Sequence, residues 1–299
     1  MTIAPEAPTT LRFLSLELTA RCPLSCSHCY AEAGPTRGHG SMTGEDWHRV
    51  IDEAAALGTT TVQMIGGEPT LHPDFTELAE HALRVGLRVR VYSNLYRVRE
   101  EHWRLFAHPH LGLACSYYSD DAAEHDTITG RPGSHAKTRD HIIEAVRRGI
   151  PVKVGVIHIH EGQRAEQARA EMQALGVEEV HVDGVRAVGN ASSTAVPSTS
   201  ALCGRCGHGK AAILPDGQVA PCEIGRFLTA GSVKHTSLAS VLSSSRWAKA
   251  TARVPLPAPT ACKPSDCEPA ASDGCSPSKD KPCGPMGLSG ADPNRTLGT

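Results

Sequence analysis

"TARCPLSCSHCYAEAG", residues 19–34, places Cys22, Cys26 and Cys29 within eight positions, directly after the apolar run "LRFLSLEL". Three thiols this close can ligate a metal, hold an iron–sulfur cluster, or form one disulfide with a thiol left over. The rest of the chain favours ligation. It carries 11 cysteines in 299 residues, an odd number that cannot all pair. The opening "MTIAPEAPTTLRF" lacks the basic and apolar blocks of a signal peptide, and no run is long and apolar enough to span a bilayer. A cytoplasmic, reducing compartment is therefore expected, where disulfides are disfavoured. The formal net charge of -2 gives no electrostatic reason to expect nucleic acid or an anionic membrane as a partner.

Outward from this stretch, short apolar runs alternate with amphipathic ones. The strand candidates are "LRFLSLEL", "TTVQMI", "LRVRVYS", "LGLACSYY", "PVKVGVIHI" and "VEEVHVDGV". Between them, Trp47, Val50, Ile51 and Ala54 share a helical face behind a cap at Thr43 with Asp46 three residues on. Similar patterns cover 74–85, 134–148 and 164–175, and Gly58, Gly86, Gly149 and Gly176 stand where each helix should end. Six such units predict a parallel sheet, open or curved into a partial barrel. The rhythm stops at "GNASSTAVPSTS", read as a linker over 189–202. Beyond it, "AAILPDGQVAPC" reads as a hairpin around Pro215, Asp216 and Gly217, and "TSLASVLSSSRWAKA" as one helix. From residue 255 to 285 the chain is too poor in apolar residues to order itself without its cysteines, and residues 287–299 read as a disordered tail.

A cubane 4Fe–4S cluster has four irons, each usually bound by one thiolate. The N-terminal trio supplies three, and the next cysteine is Cys115, so one iron is left open. The competing ligand set is zinc held by the three cysteines and either His28 or His39. The loop follows the first strand, at the sheet edge where α/β folds place chemistry. The second strand ends at that same edge in "GGEP", Gly66 to Pro69, whose exposed backbone and Glu68 could bind an ammonium group.

This pairing of CxxxCxxC after the first strand with GGEP after the second resembles the radical SAM enzymes, over roughly residues 11–184. The resemblance implies a partial (β/α)6 barrel over residues 11–188. It also implies a cluster on Cys22, Cys26 and Cys29 whose open iron is chelated by S-adenosylmethionine. His28 then fills the aromatic position before the third cysteine, and Tyr30 lies beside the adenine site. Gly66, Gly67, Glu68 and Pro69 form the ledge for the methionyl amino group, and Ser93 and Asn94 contact the ribose or methionyl part. The implied chemistry is reductive cleavage of the sulfonium to a 5′-deoxyadenosyl radical that abstracts a hydrogen atom.

Seven more cysteines, Cys203, Cys206, Cys222, Cys262, Cys267, Cys275 and Cys283, follow the linker. A zinc ribbon accounts for "CGRC" but not for seven thiols with wide spacings. The region 203–286 resembles a SPASM domain, or its shorter twitch version, which carries auxiliary 4Fe–4S clusters. Its last four cysteines are spaced more widely than in that pattern. Seven thiolates are one short of two fully ligated cubes, so two auxiliary clusters are expected, one with an open or non-cysteine corner; the alternative is one cluster plus spare thiols.

Three further residues are catalytic candidates. Cys115 reads either as a small core residue or as a barrel-facing hydrogen-atom donor, and Glu17 and Asp183 as bases facing the barrel or as structural hydrogen bonders. Tyr117 and Tyr118 read as packing, with one able to line the cavity. The histidines, as in "EHW" and "RDHIIE", read as surface. The resemblance implies oxidative modification of a ribosomally made peptide by cross-link, thioether or side-chain change. The alternatives are a dehydrogenase or epimerase of sugars or aminocyclitols, and a cluster-bearing sensor. The expected partners are a peptide or small-molecule substrate and a reductant such as flavodoxin or ferredoxin. Only about ten residues precede the first strand, so a peptide is expected to need either a separate leader-peptide recognition protein or direct docking between the barrel and the SPASM domain.

Overall fold

The computed structural model describes residues 11–193 and 197–256. The N-terminal ten residues, Cys262, Cys267, Cys275, Cys283 and the expected tail lie outside the described residues. Five of the six strands lead into α-helix: β1 (Phe13–Thr19), α1 (Gly44–Ala56), β2 (Thr61–Gly66), α2 (Phe75–Arg84), β3 (Arg88–Tyr92), α3 (Glu100–Phe106) and β4 (Leu111–Tyr117). Then come α4 (Ala122–Thr129), α5 (Ser134–Arg147), β5 (Val152–His158), α6 (Ala165–Ala174) and β6 (Glu179–Gly184). All six strands run parallel in sequence order, as the expected barrel requires.

Local chemistry sets the boundaries. Thr43 and Asp46 form a reciprocal capping box at the start of α1. Gly58, Gly86, Gly149 and Gly176 all take positive φ just past their helices, where a side chain would be strained. One face of each strand is apolar and packs on the helices: Leu14, Leu16 and Leu18 of β1, Val89 and Val91 of β3, Leu113, Cys115 and Tyr117 of β4. The alternate face carries Ser15 and Glu17, Arg90 and Tyr92, Ser116, and His181 and Asp183. Curvature turns this polar face inward, so the interior of the barrel is a polar cavity wall.

The C-terminal hairpin departs from expectation. β7 (Lys210–Ile213) and β8 (Val219–Ala220) pair antiparallel around the Pro215–Gly217 turn, but β7 also pairs parallel with β1. The hairpin therefore extends the barrel sheet to eight strands instead of standing in a module of its own. The single helix expected over "TSLASVLSSSRWAKA" is two, α7 (Leu238–Leu242) and α8 (Ser245–Thr251). Ser244 breaks it, because its hydroxyl accepts from the Trp247 N–H and restarts the helix as a new cap. The reading of the histidines as surface is also corrected. His72, His102 and His125 are buried, His102 because Phe75 and Phe106 stack on its ring. Among the described residues no helix is long and apolar enough to cross a membrane.

Candidate active site

The cysteine loop leaves β1 and is held from three sides. Thr19 and Arg21 carbonyls accept the N–H groups of Gly67 and Glu68, at 2.7 and 2.8 Å. The last turn of α4 gives its Ile128 and Thr129 carbonyls to the N–H groups of Ser27 and Ser25. The residues after β6 supply the third contact. Asn190 donates from its backbone to the Cys29 carbonyl and from Nδ2 to the Cys26 carbonyl, both at 3.0 Å. The start of the expected linker is thus a one-turn 3-10 element, Gly189–Ala191, packed on the loop. Any Cβ at Gly189 would fall 2.3 Å from the Cys29 carbonyl oxygen.

Cys22, Cys26 and Cys29 share one small cluster with Leu24, Tyr30, Ala31, Ala33 and Tyr96. Each sulfur has a donor: Asn94 Nδ2 on Cys22 at 3.5 Å, the Tyr118 hydroxyl on Cys26, and the Ala33 N–H on Cys29 at 3.4 Å. Burial pushes the Cys22 and Cys26 thiols up, Cys26 to about 12. Thiols so reluctant to ionise become ligands when a cation lies beside them, and donors aimed at sulfur are what an iron–sulfur cluster uses. The donor set fits a cluster. Zinc would need His28 or His39 as its fourth ligand. His39 bonds Thr19 Oγ1 at 2.9 Å, and the His28 ring lies edge-on to Tyr118 with centroids 4.9 Å apart.

The GGEP ledge owes its shape to missing side chains. A Cβ at Gly66 would fall 2.3 Å from the Thr19 carbonyl oxygen, and one at Gly67 would fall 2.4 Å from that of Arg21. Glu68 is buried and brackets two strand ends: Oε1 accepts from Thr70 N, Thr70 Oγ1 and Ser93 Oγ, and Oε2 accepts from Asn94 N at 2.8 Å. Burial pushes its carboxyl up, and these donors oppose the shift. Pro69 opens the short 3-10 turn that follows. Ser93 and Asn94 are thereby brought beside Glu68 and Cys22. Two buried polar atoms near the loop have no protein partner, His28 Nδ1 and the Tyr30 hydroxyl. Burial lowers the His28 imidazole to about 4 and raises the Tyr30 phenol.

The catalytic candidates separate. Glu17 faces inward, fully buried, and both its oxygens lie 2.9 Å from Arg226 Nη1. Burial pushes its carboxyl up while the guanidinium opposes that shift. Asp183 is engaged by Arg186 at 3.2 Å and by the Gly184 N–H. Cys115 does not face the barrel, because β4 alternates and puts it with Leu113 and Tyr117 on the helix side. Its expected role as a hydrogen-atom donor has no geometric basis, and the small-core-residue reading fits. Sequence reasoning missed Glu223 and Arg226. Glu223 accepts from Ser15 and, at 2.9 Å, from Gln63 Nε2. Both residues follow Cys222 and enter the barrel interior because β7 docks on β1. Their proximity to a ligand cysteine was the one available signal.

Among the C-terminal cysteines, Cys203, Cys206 and Cys222 converge. Cys206 Sγ lies 2.7 Å from Cys222 Sγ, and hydrogen bonds with Cys203 and Cys222, followed by burial, push its thiol up. The Gly225 N–H donates to Cys222 Sγ at 3.2 Å.

Comparison with known proteins follows these divisions. Residues 16–175, more than half of the chain, match the Radical SAM superfamily, and residues 203–268 match SPASM, an iron–sulfur cluster-binding domain. A PqqA peptide cyclase of Rhodopseudomonas palustris is 38% identical over 128 residues, covering 42% of this chain and 33% of that protein. One from Ruegeria pomeroyi is 32% identical over 188 residues, covering 60% and 49%. The sporulation killing factor maturation protein SkfB of Bacillus subtilis is 33% identical over 144 residues, covering 48% and 34%. The chain thus spans between a third and a half of the length of these curated relatives. Among solved structures, Streptococcus suis SuiB bound to precursor peptide SuiA aligns with a TM-score of 0.69 at 13% identity, covering 79% of this chain and 65% of that one. The structure of anSMEcpe with bound AdoMet aligns at 0.62 and 11% identity, covering 80% and 82%. At these identities the likeness is one of fold.

Proposed function

Because this chain belongs to the radical SAM superfamily, we propose that it cleaves S-adenosylmethionine reductively and uses the resulting radical to modify a ribosomally made peptide oxidatively. The observation that carries the peptide is the set of relatives: the PqqA peptide cyclases and SkfB, at 32 to 38% identity. The observations give a sugar or aminocyclitol substrate no comparable support. When bound, the cluster and S-adenosylmethionine supply one-electron cleavage of the sulfonium and a radical that takes a hydrogen atom from the substrate.

The chain's own residues hold, orient and exclude water. Cys22, Cys26 and Cys29 would hold the cluster, and the donors from Asn94, Tyr118 and Ala33 would offset the charge on their sulfurs. Gly66 and Gly67 keep the ledge close to the loop, and Glu68 fixes Ser93 and Asn94 beside it. The unpartnered His28 Nδ1 and Tyr30 hydroxyl are left for cosubstrate or substrate to satisfy. Ser15, Glu17, Gln63, Glu223 and Arg226 give the barrel a hydrogen-bonding wall suited to a substrate rich in amides. Cys203, Cys206 and Cys222 would be ligands of an auxiliary cluster. A reductant such as flavodoxin or ferredoxin supplies the first electron, and a separate protein recognises the leader peptide.

Anaerobically reconstituted protein, incubated with dithionite and S-adenosylmethionine, is expected to release 5′-deoxyadenosine. With a candidate precursor peptide added, it is expected to return that peptide lighter by two hydrogens. No 5′-deoxyadenosine would leave only a sensor or scaffold; cleavage with an unaltered peptide would remove the peptide reading and keep the radical chemistry.

A further inference from the structure

We propose that Lys210 is the positioning charge of the auxiliary cluster and sets its reduction potential. The inference rests on Cys203, Cys206 and Cys222 as cluster ligands. Lys210 opens β7, four residues after Cys206, and is only 8% exposed. The hairpin ladder puts Ala212 opposite Ala220 and Ile213 opposite Val219. Two residues beyond that ladder, Lys210 and Cys222 stand on the two arms of the hairpin. The Gly207 N–H bonds the Pro221 carbonyl at 2.9 Å, which ties the Cys203–Cys206 loop to the strand leading into Cys222. Burial works against the ammonium, and the charges of Cys203, Cys222, Glu223 and Cys206 outweigh it and hold the lysine above its ordinary range.

A lysine is rarely so buried without negative charge around it. Glu223 supplies only part of that charge, since its Oε1 is already shared between Ser15 and Gln63. The thiolates of a cluster supply the rest. A fixed cation at this distance stabilises the reduced form of the cluster, which carries one more negative charge, and so raises its potential; low local dielectric strengthens the effect. Charge and burial, more than shape, would make this position intolerant of an apolar residue.

The test compares Lys210→Met, Lys210→Gln and Lys210→Arg with wild type as the full chain, anaerobically reconstituted, by redox titration followed by electron paramagnetic resonance. The auxiliary signal is the one that ignores added S-adenosylmethionine. Lys210→Met and Lys210→Gln are expected to shift that signal to a more negative midpoint at unchanged iron content, and Lys210→Arg to restore it. Met and Gln variants that titrate like wild type, or an Arg variant shifted as far as the Met variant, would overturn the proposal. A Cys206→Ser variant tests the ligand assignment separately. If its auxiliary signal is unchanged, the assignment fails and Lys210 falls with it; if the signal is lost while Lys210→Met has no effect, only the Lys210 inference fails.

Discussion

Glu68 shows how much of the site one residue can organise. Its carboxylate receives four hydrogen bonds from two loops, so the GGEP ledge and the end of β3 are one rigid piece. Glu68→Gln keeps the shape but turns an N–H toward a donor, either Asn94 N or the Thr70 and Ser93 groups. The expected cost is about 2 kcal/mol in stability, the scale for leaving buried donors unsatisfied, and weaker S-adenosylmethionine binding. Urea unfolding of the variant and a cosubstrate titration measure both; wild-type values in both would remove the bracket role. The motif itself was legible: the three cysteines stood out by their spacing, and the two glycines were placed by the family resemblance that the GGEP run carries. The reason for the glycines was not, because it lies in the carbonyls of Thr19 and Arg21, brought near by strand pairing. Cys115 kept two readings open for a related reason. Alternation along β4 was visible, but the face turned to the barrel is decided by curvature, which one strand does not reveal.

Among the elements, α1, α2, α5 and α6 were readable because apolar period and terminal glycine agree in each. α3 and α4 were not. α3 is seven residues long and carries a histidine on its buried face, and α4 has buried His125 and Thr129 where a hydrophobic stripe would be sought. The buried histidines have a measurable consequence. Burial holds His102 at about 4, and Arg99 Nη2 donates to its Nε2 at 2.9 Å, which favours the neutral ring. His125 is likewise held at about 4 by burial. In the unfolded chain both should titrate near the ordinary histidine value of about 6.5. Between these values the unfolded state binds more protons than the folded one, so stability falls as pH falls. By pH 5 each histidine is expected to cost about 2 kcal/mol relative to pH 7. His102→Phe, which keeps the ring between Phe75 and Phe106, should flatten part of that slope. Urea midpoints at the two pH values for wild type and variant check this; an unchanged slope would mean that His102 does not contribute.

At the scale of the whole molecule, the two regions defined by composition share one sheet. The change at residue 189 was legible, but the sequence could not reveal that β7 would close the open edge of β1, because strand partners separated by some two hundred residues leave no local signal. The same docking brings Arg226 to Glu17, so the barrel's buried carboxylate depends on the C-terminal region for its counter-charge. A protein ending at residue 188 would expose the β1 edge and bury an unpaired carboxylate. It is expected to aggregate instead of forming a monomeric barrel. A monodisperse truncated protein on gel filtration would show that the sheet does not need β7. The intact chain should then show its full metal content. Three thiolates at the barrel loop imply about four irons, and two auxiliary cubes about eight more, so about twelve irons per chain are expected after anaerobic reconstitution. About eight would mean one auxiliary cluster, with part of the late cysteine series left unligated. Cys26→Ala separates the two regions, because it should remove about four irons and all 5′-deoxyadenosine while the auxiliary signal persists. Loss of both signals in that variant would mean that the barrel cluster is required for the C-terminal site to assemble, a dependence the shared sheet makes physically reasonable.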